Sequence, residues 1–439
     1  MRKSRICAAI ALIIVITSVS KADTQLPCTI LKTKRIFDGS KWNRTDMQIL
    51  IEGDVISSIS PDLQKYRTHC PQINLDQFAV TPGLIDTHTH VFLEDTNYGN
   101  EFSKVALAHA LMKPETRIKI ARNNARALLY SGFTSIRDLG NSGNFLDAQL
   151  KQEQIENPNK PLPRIFISGP GWATKRGQLP MSAENSLAIT EYTSISPDIQ
   201  NEDIDRLVQE YKSKNVDTLK LYADNDPEKG DLSLATLTRI TEAAQKNNMP
   251  VAIHASTLAT SRSAVLAGAQ SLEHGFEVDD SLLKEMNKRQ SFLVPTGIDQ
   301  ATCLKIQSHN SAPEYKSCQR YLKSFSGRLM AAHKAQVQIA FGSDMYMIFK
   351  KGDRGINSMS SLFSYNEGGL SPNETLKSAT STAAKLLRRE DLGVIRVGAK
   401  ADIVAFNGDP EKDILALKKI SFVMKNGHIF CRSEKSCKK

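Results

Sequence analysis

The 439-residue chain has no CxxC pair, no internal repeat and no low-complexity linker. Its one long apolar run, near the N-terminus, is too short for a comfortable bilayer span. With no cysteine pair of that kind, and no cysteine beside the histidine motif described below, thiolate metal ligation is the weaker reading of the seven cysteines. Aromatics make up only 6% of residues and do not interleave with a basic stripe, which argues against nucleic acid as a partner. The formal charge of +10 shrinks on inspection of the N-terminus. Arg2, Lys3 and Arg5 precede an apolar stretch from Ile6 to Ile16, and Ser20-Lys21-Ala22 offers small residues where a signal peptidase reads. Removal of residues 1–22 takes away Arg2, Lys3, Arg5, Lys21 and no acid, leaving 53 basic residues against 47 acidic ones. The reading is therefore an exported chain, periplasmic or secreted, with no stable membrane span after signal removal; an anchor that stays uncleaved is the alternative. What remains is ample for a large core.

Cys7 falls inside the presumed signal, so six cysteines are left, an even count that in an exported chain points to disulfides. Proximity favours Cys303 with Cys318 and Cys431 with Cys437, which leaves Cys28 with Cys70.

Between residues 81 and 385 a short apolar strand, a turn and a longer helix-like stretch recur. The strand candidates are Gly83–His90, Phe133–Leu139, Arg164–Gly169, Thr218–Tyr222, Pro250–Ala255, Ser271–His274, Phe292–Pro295 and Gln338–Asp344. Eight such units predict an α/β fold, a (β/α)8 (TIM) barrel. The flanks, residues 23–80 and 386–439, alternate apolar residues with turns such as Asp38-Gly39 and Asn426-Gly427. These read as hairpins of one small β-domain built from both chain ends, after a signal peptide over residues 1–22.

Polar chemistry collects at the predicted C-terminal strand ends, the face where barrel enzymes place their sites. The first strand ends Asp86-Thr87-His88-Thr89-His90, and the two-residue period turns His88 and His90 to one side, a spacing able to hold one metal ion. In Thr218-Leu219-Lys220-Leu221-Tyr222 the leucines suit the helix-packed outside, which points Lys220 and Tyr222 into the barrel. A bare ammonium there costs several kcal/mol unless paired or neutralised. Carboxylation by carbon dioxide is one solution, since a carbamate offers two oxygens to two ions; a shifted register or a side chain reaching the surface is the other. His254 and His274 end two further strands, and Asp344 ends the last. Singly, such a histidine is more often a satisfied core residue than a ligand, and such an aspartate more often a helix cap. Their conjunction is what points to a metal site.

The motifs Thr81-Pro82-Gly83-Leu84-Ile85-Asp86-Thr87-His88-Thr89-His90, Gly132 to Gly140, Leu219-Lys220, the two histidine strands, Gly342-Ser343-Asp344 and Gly398 to Val404 closely resemble the amidohydrolase superfamily. Within it, the resemblance is to the imidazolonepropionase-related bacterial branch with exported dipeptidase and carboxypeptidase-like members, and it covers nearly the whole mature chain. The resemblance implies that His88, His90 and Asp344 hold one ion, that His254 and His274 hold another, and that carboxylated Lys220 bridges them. Nitrogen and oxygen ligands suit zinc, though other divalent ions take the same donors. Asp344 then shuttles the proton, and Tyr222 either donates to an oxyanion or simply fills the barrel. Many relatives carry a histidine after the third strand, where this chain has Gly169 to Gly177. Trp172 and Arg176 there are candidates for a substitute surface, an ordinary solvent-facing loop being the alternative, and Arg137, Lys175 and Arg176 are candidate anchors for a substrate carboxylate. His109 and His333 read as structural or exposed.

The expected function is hydrolysis of small peptides or N-acyl amino acids that carry a free C-terminal carboxylate. Cyclic-amide, lactone or phosphoester hydrolysis stays open as an alternative, as do a noncatalytic periplasmic binding protein and a homo-oligomeric state.

Overall fold

The computed structural model describes residues 27–437 apart from 67, 97–100, 176, 181, 225–230, 310–316 and 349–353. The proposed signal, residues 1–22, and Arg176 lie outside the described residues.

Each of the eight expected strands forms: β1 Leu84–Thr89, β2 Phe133–Asp138, β3 Arg164–Ile167, β4 Leu219–Tyr222, β5 Val251–Ala255, β6 Ser271–His274, β7 Phe292–Val294 and β8 Gln338–Ile339. β1 to β3 pair in parallel, as do β4 to β8. Two seams close the ring. Asp217 and Thr218 donate backbone N–H groups to the Ile167 carbonyl between β3 and β4, and Thr87 N–H donates to Phe341 O between β1 and the continuation of β8. Regular pairing in β8 stops at Ile339, short of the expected Asp344, yet the chain stays against β1, with Asp344 N–H donating 2.8 Å to His88 O. Gly342 permits that approach, because a Cβ there would lie 2.6 Å from His88 Cβ.

The chain after β3 differs from expectation. Gly171–Thr174 and Tyr192–Ile195 are two extra parallel strands, and Trp172 pairs with Leu221 of β4. Trp172 is therefore fully buried, edge-on to Tyr211, and belongs neither to a solvent-facing loop nor to a substrate surface.

Alternation sets the two layers of the barrel. Leu219 and Leu221 join the apolar cluster shared with the surrounding helices, where Ile118, Leu128, Leu237, Leu282 and Leu329 also pack. Lys220, Arg137 and Glu273 point the other way and are buried inside. A small β-domain made from both chain ends flanks the barrel, as Ile403–Phe406 runs antiparallel to Ala79–Pro82 in a six-stranded sheet. The Asn426-Gly427 turn has positive φ at both residues and joins Lys425 to its partner His428, as expected of a tight hairpin. Leu31, Ile49, Ile56, Val80, Ile403 and Phe422 form this domain's own core. All three expected disulfides are present: Cys28–Cys70, Cys303–Cys318 and Cys431–Cys437.

Candidate metal centre and its cavity

A cavity of about 290 Å³ opens at the C-terminal ends of the strands, lined by His88, His90, Lys220, Tyr222, His254, His274 and Asp344 together with Phe102, Gln178, Phe276 and Tyr346. Its volume lies near the lower end of the roughly 300–1,000 Å³ range of small-molecule sites, which favours a small substrate.

His88 Nδ1 lies 2.7 Å from Glu273 Oε2, so Nδ1 carries the proton and Nε2 keeps its lone pair. That Nε2 is buried without a hydrogen-bond partner and stands 3.7 Å from Asp344 Oδ1. His90 Nε2 is 3.2 Å from the same oxygen. His274 Nδ1 meets Thr296 Oγ1 at 2.8 Å. His254 Nε2 lies 3.2 Å from Asp224 Oδ1, which leaves Nδ1 as its lone-pair nitrogen. Ligand atoms of His88, His274 and Asp344 lie within 4.8 Å of one another. Both His274 and Asp344 have positive φ, at 68° and 48°, a conformation that turns these side chains out of the strand run and into the cavity.

Burial, reinforced by Lys220, pushes His88 down to about 4, and burial with the cations around it takes His274 well below the usual imidazole range. Both rings are thus neutral at pH 7, the form that donates a lone pair to a metal. Burial also pulls Lys220 down to about 8, although Glu273 and Asp344 oppose that shift. Its ammonium sits 4.9 Å over the Tyr222 ring. A readily deprotonated, buried amine is the form that reacts with carbon dioxide.

Tyr222 is buried against Tyr192 and His254, with its hydroxyl in good hydrogen-bond geometry to no described group. Gly171 makes room for it, because a Cβ there would lie 2.5 Å from the tyrosine ring. The expectation for Arg137 is corrected. Its Nε donates 2.6 Å to Thr87 O and its Nη2 2.8 Å to Glu273 Oε1, both fully buried, so its charge is already met by an internal carboxylate and it is not free for a substrate's. Lys175 is exposed. His109 bridges Val105 O and Glu94 N, and His333 pairs with Glu374 at the surface, in keeping with structural roles.

A model of the amidohydrolase family matches residues 79–430. The chain belongs to the amidohydrolase family. Ochratoxinase from Aspergillus niger is 24% identical over 390 residues, covering 80% of this chain and 75% of that protein. Imidazolonepropionase from Fusobacterium nucleatum is 24% identical over 410 residues, covering 86% and 88%. A solved Xaa-Pro dipeptidase with methionine in its active site shares the fold with a TM-score of 0.77 at 24% identity, covering 92% of this chain and 99% of that one.

In this amidohydrolase three polar groups behind the cavity had no role assigned from sequence. Glu273 was within reach, because Ser271 and Glu273 share the inward parity of β6 and a buried carboxylate needs partners. Asp224 and Thr296 lie in loops after β4 and β7, where no period fixes direction.

Proposed function

We propose that the protein is an exported binuclear metal-dependent amidohydrolase that cleaves small peptides or N-acyl amino acids at the bond before a terminal residue with a free carboxylate. The convergence of four histidines, a buried lysine and Asp344 on one small cavity carries this reading. The unpartnered, buried His88 Nε2 and the pairing of each second imidazole nitrogen fit a metal site, since metal-ligating histidines ordinarily donate their other N–H to a carboxylate, carbonyl or hydroxyl. His88, His90 and Asp344 would hold one ion and His254 and His274 the other, with carboxylated Lys220 shared, zinc being the expected metal. Bound ions supply Lewis-acid polarisation of the scissile carbonyl and a water activated near neutral pH.

The chain's own groups do the rest. Asp344, beside His88 and His90 at the cavity wall, accepts the water proton on a carboxylate oxygen and passes it to the leaving nitrogen. Glu273 keeps the proton of His88 on Nδ1, and Arg137 keeps Glu273 charged. The Tyr222 hydroxyl is positioned to donate to the oxygen that gains charge in the transition state. Phe102, Phe276 and Tyr346 wall the cavity and limit water around the reacting bond. The names of the relatives support amide substrates, and three disulfides support an oxidising compartment. The test is a dipeptide panel with free and amidated C-termini on metal-loaded protein. Strong loss of kcat/KM on amidation is expected; equal rates, or turnover of cyclic amides, lactones or phosphoesters alone, refute the substrate class.

A further inference from the structure

With Arg137 engaged inside the barrel, the substrate carboxylate proposed above needs another cation, and the helix Cys318–Lys334 provides one. Arg328 is 7% exposed, and its guanidinium lies 5.0 Å from the ring centre of Phe276, a cavity-wall residue, and 5.3 Å from that of Phe325. One Nη2 group donates 2.6 Å to Pro295 O, in the loop that follows β7. That bond fixes the plane of the guanidinium but uses little of its donor capacity. Nε is buried with no partner, and no acidic side chain pairs with Arg328 among the described residues. The charged and titratable neighbours that influence it are the hydroxyls of Tyr321 and Tyr365, and it lies close enough to His274 to disfavour a charge on that ring.

A buried guanidinium with unfilled donors and no counter-charge is costly to fold unless something else meets it. The planar fork matches a carboxylate in particular. Phe276 is 44% exposed and stacks on His274 at 5.4 Å, so Arg328 stands one ring away from the proposed metal centre. Arg328 thus stands outside the residues that line the cavity, beyond Phe276, on the side toward which the far end of a substrate held at the cluster would extend.

We propose that Arg328 binds the substrate's terminal carboxylate and thereby determines which amide carbonyl reaches the histidine, lysine and aspartate cluster. This assignment rests on the reading of the site as one for carboxylate-terminated amides, and Phe276 is the aromatic partition between anchor and chemistry.

The experiment compares wild type, Arg328→Gln and Arg328→Lys on matched dipeptides with free and amidated C-termini, and measures by calorimetry the binding of the free amino acid product and of its amide. Arg328→Gln should lower kcat/KM for the free substrate by about 10- to 100-fold, the worth of hydrogen bonds to a charged group, and leave the amidated substrate nearly unchanged. Product binding should weaken for the acid and not for the amide. Arg328→Lys keeps the charge without the fork and should fall between, which preserves the test if the glutamine variant folds poorly. Unchanged preference for free acid in both variants overturns the role of Arg328 while leaving the substrate class intact. No preference in wild type overturns both.

Discussion

Replacing Glu273 by Gln keeps the volume of the side chain but removes the one negative charge between two buried partners. Glu273 accepts from Arg137 Nη2 at 2.8 Å, from His88 Nδ1 at 2.7 Å and from Ser271 Oγ at 2.5 Å, and all four residues are fully buried. Burial alone would raise its pKa, but Arg137 and His88 outweigh that and hold it at about 2, so the ionised form is the native one. In Glu273→Gln the side chain is neutral and has a single acceptor oxygen, which can serve Arg137 or His88 but not both, while Arg137 otherwise keeps Thr87 O and a distant Ser271 Oγ at 3.4 Å. Breaking a buried pair from one side costs about 3–5 kcal/mol, because the surviving charge stays buried. Loss of the acceptor that orients His88 should also weaken metal affinity by about 10- to 100-fold. Urea unfolding of metal-free protein measures the first effect and metal titration the second. The double variant Arg137→Met/Glu273→Gln removes the stranded cation, so its loss of stability should be smaller than the two single losses combined by about 1–3 kcal/mol. Additive losses together with undisturbed metal affinity would refute the idea that Arg137 acts on His88 through Glu273.

Lys220→Ala should lose bound metal and hydrolysis together, with partial recovery when a short carboxylic acid is added, read by metal analysis and turnover; full metal occupancy with normal turnover would remove Lys220 from the centre. Lys425 donates 2.7 Å to Leu162 O from a fully buried position, and burial lowers it to about 8, with Asp402 pulling it up and Arg164 down. Because the folded value lies below the unfolded one, the unfolded chain binds the extra proton between them, so stability should rise as pH climbs from about 8 to 10, by about 3 kcal/mol at most relative to Lys425→Met. A flat difference between the two proteins across that range would show that Lys425 has no such shift.

Much of the barrel was legible because its strands carry two signals at once. In β4, Leu219 and Leu221 face the helices while Lys220 and Tyr222 face inward, and the two-residue period alone dictates that division. In β1, β5, β6 and the continuation of β8, a polar residue at the strand tip marks the end that opens to the cavity, so the meeting of His88, His90, His254, His274 and Asp344 could be anticipated. The β-domain hairpins were legible from Asn426-Gly427, whose positive φ values only a few residue types adopt readily. The pair of strands at Gly171–Thr174 and Tyr192–Ile195 was not, because each is four residues long and is held by partners distant in sequence, Trp172 against Leu221 among them. Arg137 shows a different limit. Parity placed it inside the barrel, but depth along the axis decides whether an inward arginine meets solvent or Glu273, and no local pattern encodes depth. Arg328 lies on a helix and reaches the barrel mouth only through the packing of Phe325 and the Pro295 loop, which a helical period does not reveal.

The most direct test of the account removes metal with a chelator, adds zinc in measured increments, and follows both bound ions per chain and cleavage of a dipeptide. The account predicts two ions per chain, with hydrolysis absent from the stripped protein and restored as the sites fill. Saturation at one ion, or undiminished hydrolysis by the stripped and still folded protein, would contradict it.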